Sequence, residues 1–333
     1  MRVGFTFDLK TDHENKKDNP SDALAEFDFP ETIDIVRDAV KTGGHEVVSI
    51  GYVGNLLKKL PDLGVDIVLN ICEGEGGRNR EAEVPALLDL YKIPYVGSDG
   101  LTLSLSLDKV MAKKAFIADR VPTAGYFVAE SGFKASGALK FPLIVKPRHE
   151  GSSKGISDDS IVRDKKALEN QVAYINRTYK QAAIVEEFIS GQEFTVLVIG
   201  NDEPKALAPV HISILGKLDI GDLVYTSRRL EGTDISYICP PKISKALDKK
   251  LREISVMAYR SLDCRDFARV DLRVDKKGRP YVLEINPLPS LSTEDVFPLI
   301  AKEEGMTYEE LILKIIDIAA ERCGVGQNGG QAA

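Results

Sequence analysis

Residues 269–286 read RVDLRVDKKGRPYVLEIN, two apolar runs flanking a polar turn. Val270, Leu272, Val274, Tyr281, Val282, Leu283 and Ile285 are the residues of buried strands. Arg269 and Asp271 stand two apart, as do Glu284 and Asn286, so each pair projects from one side of its strand. A four-residue connection over 276–279 sets Asp271 opposite Glu284 and Arg269 opposite Asn286. A slip of one residue would send the two pairs to opposite faces. Facing carboxylates repel unless something positive lies between them. Asp, Glu and Asn supply oxygen donors, which points to a hard cation, Mg2+ foremost where a phosphate completes the shell. Taken alone, the pattern fits a half-exposed hairpin with a solvated polar face equally well.

The 333 residues suit two or three domains, and 43% hydrophobic with 29% charged residues is ordinary for a soluble globular chain. A formal net charge of −7 argues against nucleic acid or an anionic membrane as partner, because no basic surplus exists to neutralise phosphates. MRVGFTFDLK lacks the apolar core of a signal peptide, and no apolar run approaches the ~18 residues that span a bilayer. Cys72, Cys239, Cys264 and Cys323 are scattered without CxxC spacing, so a zinc site or disulfide framework is not expected and a cytoplasmic location is. Four histidines form no constellation.

Outward from the hairpin, the first third alternates strands (MRVGFTF, HEVVSI, VDIVLNI, IPYVGS) with helical patterns after Pro30 and over 81–91, which implies a parallel sheet. Residues 10–21 read as a loop. A helix after Asp108 leads to FPLIVKP, the loop RHEGSSKGIS, a helix over 165–179 and the strand AAIVEEF. The last third holds EFTVLVIG, a strand partner around 206–214, a charged loop over 216–234, a helix over 244–262, the hairpin and a final helix over 308–322. The Gly/Gln-rich tail over 324–333 reads as disordered.

Residues 146–156, KPRHEGSSKGI, follow a buried strand. Small residues there let backbone N–H groups approach phosphate oxygens, and Ser152 and Ser153 add donors, although the spacing is not that of a Walker loop. Lys146 ends an apolar strand, where an ammonium is costly without an anion. Lys109 opens a helix, a place the dipole does not favour for a cation, and by itself reads as solvated. Glu186, Glu187 and Glu193 surround the end of a strand, whose exposed backbone suits an adenine ring as well as a mere domain crossing.

In this order, the two lysines, the Gly-Ser loop, the Glu-rich strand end and the Asp/Glu/Asn hairpin resemble the D-alanine–D-alanine ligases of the ATP-grasp superfamily. The resemblance rests on IPYVGS (93–98), LDKVMAK (107–113), VPT (121–123), VKP…EGSSKGIS (145–157), VEEFISGQEFTV (185–196), ICP (238–240), ARVD (268–271) and LEINPLPS (283–290). It implies an α/β (α+β) ATP-grasp fold: an N-terminal parallel-sheet preATP-grasp domain over 1–100, and two ATP-grasp subdomains over 101–185 and 186–323. It implies that Lys109, Lys146, Ser152 and Ser153 hold the ATP phosphates, that Glu186, Glu187, Phe188, Ile189 and Leu283 surround adenine, and that Glu193 meets the ribose. Asp271, Glu284 and Asn286 would bind two Mg2+ ions, with Mn2+ as a substitute, and Arg269 and Ser152 would serve the transferred phosphoryl. The implied activity is amide formation between two small amino-acid-like substrates through an acyl phosphate, in a cytoplasmic enzyme of peptidoglycan precursor synthesis. A homodimer is the family's habit.

The chain also departs from that pattern. For the glutamate that holds the first substrate's ammonium, LAEFDFPE offers Glu26, with Asp28 near it. The loop that carries a Lys-Tyr pair in the family falls at VYTSRRLEG, so Arg228 or Arg229 replaces the lysine, the tyrosine aligns near Leu230, and Tyr225 substitutes only if the loop shifts. After the metal-binding asparagine, Ser290 stands where the family has glycine, and Asp295 near the serine that binds the second substrate's carboxylate. A carboxylate there repels that substrate by ~1–4 kcal/mol at 4 Å, unless Ser292 or Thr293 takes over or Asp295 pairs with a basic neighbour. The alternatives are therefore a paralogue joining a different amino acid or a hydroxy acid, and a nucleotide-binding regulatory protein with a degenerate site. The intact Lys109, Lys146, Arg269, Asp271, Glu284 and Asn286 oppose degeneracy.

Overall fold

The run RVGFTF forms β1 (Arg2–Phe7), the centre of a parallel sheet. The structure is a computed structural model that describes residues 1–13, 19–134, 140–226, 229 and 232–326. Helix α1 (Pro30–Thr42) follows, with Pro30 at its first position, where the missing N–H is no loss. Next come β2 (Glu46–Ser49), α2 (Val53–Lys59), β3 (Ile67–Ile71), α3 (Glu83–Tyr91) and β4 (Tyr95–Val96). The sheet order is β2-β1-β3-β4. Every residue of β3 is buried, as expected of a parallel strand covered on both faces.

Two short helices then join, α4 (Gly100–Leu107) and α5 (Lys109–Ala118). Asp99 caps the first through Thr102 N at 3.0 Å, and Asp108 caps the second through Val110 N at 3.1 Å and Met111 N at 3.2 Å. A second sheet collects β5 (Tyr126–Ala129), β6 (Leu143–Pro147), β7 (Ile161–Val162) and, after α6 (Lys165–Tyr179), β8 (Ala183–Glu187), in the order β5-β8-β6-β7. The expected limit at residue 185 falls inside β8. Leu143, Val145, Ala183 and Val185 pack with Leu168, Val172 and Ile175 of α6. The alternate residues Ile144, Lys146, Ile184 and Glu186 therefore point to the other face, where Ile144 pairs with Glu186 and Lys146 with Ile184.

The third sheet holds β9 (Gly191–Ile199), β10 (Lys205–Ala206), β11 (Val210–Ile214), β12 (Ile235–Ile238), β13 (Phe267–Asp275) and β14 (Pro280–Asn286). Its order is β12-β11-β9-β13-β14, with β10 on β9. Helix α7 (Lys245–Ser261) covers one face through Leu251, Ile254, Ala258 and Tyr259, which meet Val270, Leu272, Val274, Val282 and Ile285. The deciding hairpin keeps its expected facing pairs, Asp271 with Glu284 and Arg269 with Asn286, but by a different route. The connection is tighter than four residues. Asp275 N donates to Arg279 O at 3.0 Å, Gly278 takes φ +73°, and the Asp275 carboxylate accepts from Lys277 N and Arg279 N at 2.9 Å each. Leu272 consequently pairs with Val282, and a bulge between there and the Asp271–Glu284 pair restores the register. The bulge also lets Val282 and Ile285, three apart, both face α7, while Glu284 and Asn286 face away.

Helix α8 (Phe297–Glu303) and helix α9 (Tyr308–Cys323) end the chain. Leu311, Ile312, Ile315 and Ile316 of α9 pack with Val3, Phe5, Ile33 and Val36 under the first sheet, so the final helix completes the N-terminal core. The tail from 327 lies outside the described residues.

One buried carboxylate ties these parts together. Asp266, with 0% exposure, accepts from Gly97 N at 2.8 Å, Asn201 Nδ2 at 3.0 Å, and Arg322 Nε and Nη2 at 2.8 and 2.7 Å. Asp266→Ala leaves a guanidinium and a backbone donor without their acceptor, and is expected to cost ~3 kcal/mol, read from the urea unfolding midpoint. A loss within error of wild type would remove Asp266 from this role. Near the end of β1, burial and then the neighbouring Asp8 raise the Asp28 carboxyl from 3.8 to about 7. The folded state thus holds that proton more tightly than the unfolded chain, so this group's contribution to stability falls as pH rises from 3.8 to about 7. Asp28→Asn should flatten the decline in melting temperature between about pH 4 and pH 7, and an unchanged slope would contradict it.

Candidate active site

The faces of the second and third sheets that turn away from their helices carry the charged residues singled out in the sequence. On the hairpin, Arg269 Nε and Nη2 lie 3.2 Å from the two oxygens of Asp271, and Arg269 Nη1 lies 3.0 Å from Asp295 Oδ2. Asn286 Nδ2 donates to Asp271 Oδ2 at 2.9 Å. Glu284 receives Lys109 Nζ at 3.1 Å, and that ammonium also donates to Glu150 O at 2.7 Å. Burial opposes the charge on Glu284, yet Lys109 and then Lys146 hold its carboxyl below the ordinary range. For Arg269, likewise, burial is outweighed by Asp271 and Asp295, so its charge is secure.

Among the described residues, no cluster of three or more His, Cys, Asp or Glu side chains converges on one point. Asp271 turns to Arg269 and Glu284 to Lys109. The donor set nonetheless fits Mg2+: two carboxylates and an amide, all oxygen donors, on adjacent strands of one face, with cations now serving as their counter-charge.

Lys146 Nζ lies 3.0 Å from Glu186 Oε2. The other oxygen of Glu186 is met at 3.0 Å by Lys113, a residue that sequence reasoning passed over inside LDKVMAK. Its spacing of four from Lys109 on α5 was the available signal, since i and i+4 share a helix face. Burial favours the neutral acid, but the two lysines hold Glu186 at about 2. Glu186 is thus an internal counter-ion. The start of β9 shows a similar arrangement: Glu193, expected at a ribose, is bound by Arg273 Nε at 2.7 Å. Arg273 also donates to Ile189 O, Gly221 O and Leu223 O at 3.1, 3.2 and 2.6 Å, and its guanidinium lies 5.1 Å from the Phe188 ring. The backbone N–H groups of Glu187 and Phe188 donate to Gly125 O at 2.9 Å and Pro142 O at 3.2 Å. Leu283 sits half-buried at the bulge.

The Gly-Ser loop turns through Ser152 and Ser153 with φ of +44° and +58°, a conformation non-glycine residues enter rarely. Glu26 does not stand free to receive an ammonium. One of its oxygens accepts from Gly151 N at 2.7 Å and Arg80 Nη2 at 2.6 Å, and the other meets Lys154 Nζ at 2.5 Å. Lys154 also reaches Glu150 at 2.5 Å, and Arg80 Nη1 donates to His149 O at 2.8 Å. At the loop's far end, Asp22 accepts from Gly155 N at 2.8 Å and from Tyr179 Oη at 2.9 Å. Asp22 and Arg80 carried no motif signal and Lys154 was passed over inside KPRHEGSSKGI, because their partners lie far off in sequence.

On the acceptor side, Asp295 pairs with Arg269, but it shares that guanidinium with Asp271, so the repulsion expected of an unpaired carboxylate is only partly relieved. Ser290 is exposed and its Oγ accepts from Ser292 N at 3.3 Å. Arg229 grips Asp158 with Nη1 and Nη2 at 2.9 and 2.8 Å. Arg228 and Leu230 lie outside the described residues. The Tyr225 hydroxyl bonds the Tyr237 hydroxyl at 2.8 Å, within the field of Arg269 and Asp295.

A family model described as "D-ala D-ala ligase C-terminus" matches residues 126–317, more than half of the chain. The D-alanine–D-alanine ligase of Carboxydothermus hydrogenoformans is 34% identical over 300 residues, covering 87% of this chain and 93% of that one. An uncharacterized protein of Sinorhizobium fredii, y4sG, is 39% identical over 256 residues, covering 77% of this chain and 75% of its own. The Bacillus anthracis D-alanine–D-alanine ligase complexed with ATP shares the fold at a TM-score of 0.74 and 21% identity, over 97% of this chain and 99% of that one. With the lysines, the Glu26-bound loop and the oxygen-donor hairpin in place, the chain belongs to the D-alanine–D-alanine ligase family of ATP-dependent C–N ligases with the ATP-grasp fold.

Proposed function

We propose that this protein uses ATP and Mg2+ to join the carboxylate of one amino-acid-like substrate to the amine of a second. The observation that carries the reading is the contact of Lys109 with Glu284, 3.1 Å, beside the Arg269–Asp271 pair. It sets an ammonium, a guanidinium and the oxygen donors around one space between two sheets. In this reading the organisation is three-part, 1–100, 101–185 and 186–323. Lys109 and Lys146 hold the nucleotide phosphates, and the backbone and hydroxyls of Ser152 and Ser153 cover them. The backbone of residues 186–189 and the Leu283 side chain border adenine, while the Glu186 carboxylate stays with Lys113 and Lys146, and Glu193 and its partner Arg273 lie at the ribose. Asp271, Glu284 and Asn286 hold two Mg2+ ions, or Mn2+ in their place, which supply charge neutralisation of the phosphates.

A carboxylate oxygen of the first substrate attacks the γ-phosphorus, the bond to the β-bridging oxygen breaks, and ADP leaves an acyl phosphate. The amine of the second substrate attacks the acyl carbon, phosphate departs with the C–O electron pair, and the amine loses a proton. Arg269 stabilises the charge that develops on the phosphoryl and then on the tetrahedral oxygen. Glu26, Arg229, Ser290 and Asp295 form the substrate-facing set. An amine reaching Glu26 shares that carboxylate with Arg80 and Lys154. The protein works as a small-molecule enzyme in the cytoplasm, as a homodimer. Among the described residues no helix is long and apolar enough to cross a membrane.

Phosphate release from ATP against D- and L-amino acids, singly and in pairs, with mass spectrometry of the products, tests the reading. Release that requires two amino acids and yields a dipeptide is expected; ATP binding with no turnover for any pair would favour a regulatory protein. Glu284→Gln should abolish ATP turnover while the circular-dichroism spectrum stays native, and unchanged phosphate release would sink the metal assignment. Asp295→Ser removes one of the two carboxylates that share Arg269. It should lower the KM of a carboxylate-bearing acceptor such as D-alanine several-fold, and no change would show that Asp295 does not act on the acceptor.

A further inference from the structure

Lys113 is buried to 1% exposure, and its ammonium spends its donors inside the protein: Glu186 Oε1 at 3.0 Å, Thr123 Oγ1 at 2.6 Å and Ala124 O at 3.3 Å. It has no donor left for a nucleotide. Lys146, at 7% exposure, meets the same carboxylate through the second oxygen, 3.0 Å away. Two ammoniums thus share one carboxylate that is itself 2% exposed. The triad carries a net charge of +1 out of water, a state that calls for an anion. Thr123, the hydroxyl that receives Lys113, donates in turn to Val282 O at 2.9 Å, and Val282 N donates to Pro122 O at 2.8 Å. Val282 lies two residues before Glu284 on β14, so Lys113 also stands at the junction of the two sheets that face the proposed nucleotide.

We propose that Lys113 is a positioning residue for the nucleotide: by occupying half of the Glu186 carboxylate it keeps Lys146 from being neutralised, leaving that charge for a phosphate. The inference rests on the reading that Lys146 meets nucleotide phosphate. Without Lys113, Glu186 and Lys146 form a neutral pair and the site loses its surplus charge. Removing the carboxylate as well restores that surplus, because Lys146 then has no carboxylate of its own, the nearby Glu284 and Glu193 being held by Lys109 and Arg273. Packing roles add; this charge balance does not.

Binding of ATP and of adenosine to the full-length protein, measured by calorimetry for wild type, Lys113→Met, Glu186→Gln and the double variant, tests this. Lys113→Met is expected to weaken ATP binding at least tenfold and adenosine binding little, and the double variant to recover most of the ATP affinity. Lys113→Arg should hold near wild type. A double variant that binds ATP no better than Lys113→Met, or an equal loss for adenosine and ATP, would overturn the proposal. If Lys113→Met does not fold, Glu186→Gln alone decides: ATP binding at least as tight as wild type supports the charge balance, and a tenfold loss overturns it. A wild-type protein that binds no ATP overturns the reading of function and this inference with it; ATP binding in wild type confines any failure to the inference.

Discussion

Two carboxylates set opposite each other on a buried strand pair repel, and the arrangement of the site answers that repulsion. Asp271 and Glu284 face across β13 and β14. The structure supplies a separate cation to each, Arg269 from the same strand and Lys109 from the start of α5. The second contact matters more, because it makes the third sheet's charge depend on α5. The same logic recurs at Glu186 between two lysines, at Glu193 with Arg273 and at Glu26 between Arg80 and Lys154. Apart from Asp271, these acids are matched across elements distant in sequence, so the walls of the site are fastened by charge as well as by apolar contact.

Much of this was legible because short-range rules govern it. Period-two alternation paired the hairpin residues, Lys146 at the end of an apolar strand called for an anion, and the helix start at Pro30 and the Gly-Ser loop stand where their residues require. The hairpin register was reached correctly although the turn is tighter than expected. Asp275 and Gly278 close it early, and the bulge next to Asp271 gives the residue back. Bulges leave little trace in a sequence, since Leu283 reads like any strand leucine. The run GLTLSLSL alternates as a strand would, yet it is helix α4, capped by Asp99 and packed on neighbours.

What the sequence did not disclose depends on partners far along the chain. Glu26 was singled out for its type, but its role was set by Arg80, Gly151 and Lys154, 54, 125 and 128 residues away. Asp295 looked like an unpaired carboxylate facing the second substrate, whereas it shares Arg269, 26 residues earlier, with Asp271. Lys113 passed for an ordinary helical lysine because its acceptors, Glu186 and Thr123, belong to other strands and loops. Charge pairs of this kind are properties of the fold.

The position of α9 bears on synthesis. Leu311, Ile312, Ile315 and Ile316 supply one side of the core whose other side is β1 and α1, elements made long before them. The first sheet therefore waits with an apolar face open until α9 has been made, in contrast to domains that close in order along the chain. For this protein β1 and α9 mature together, so this core closes only after the strands of the second and third sheets have been made.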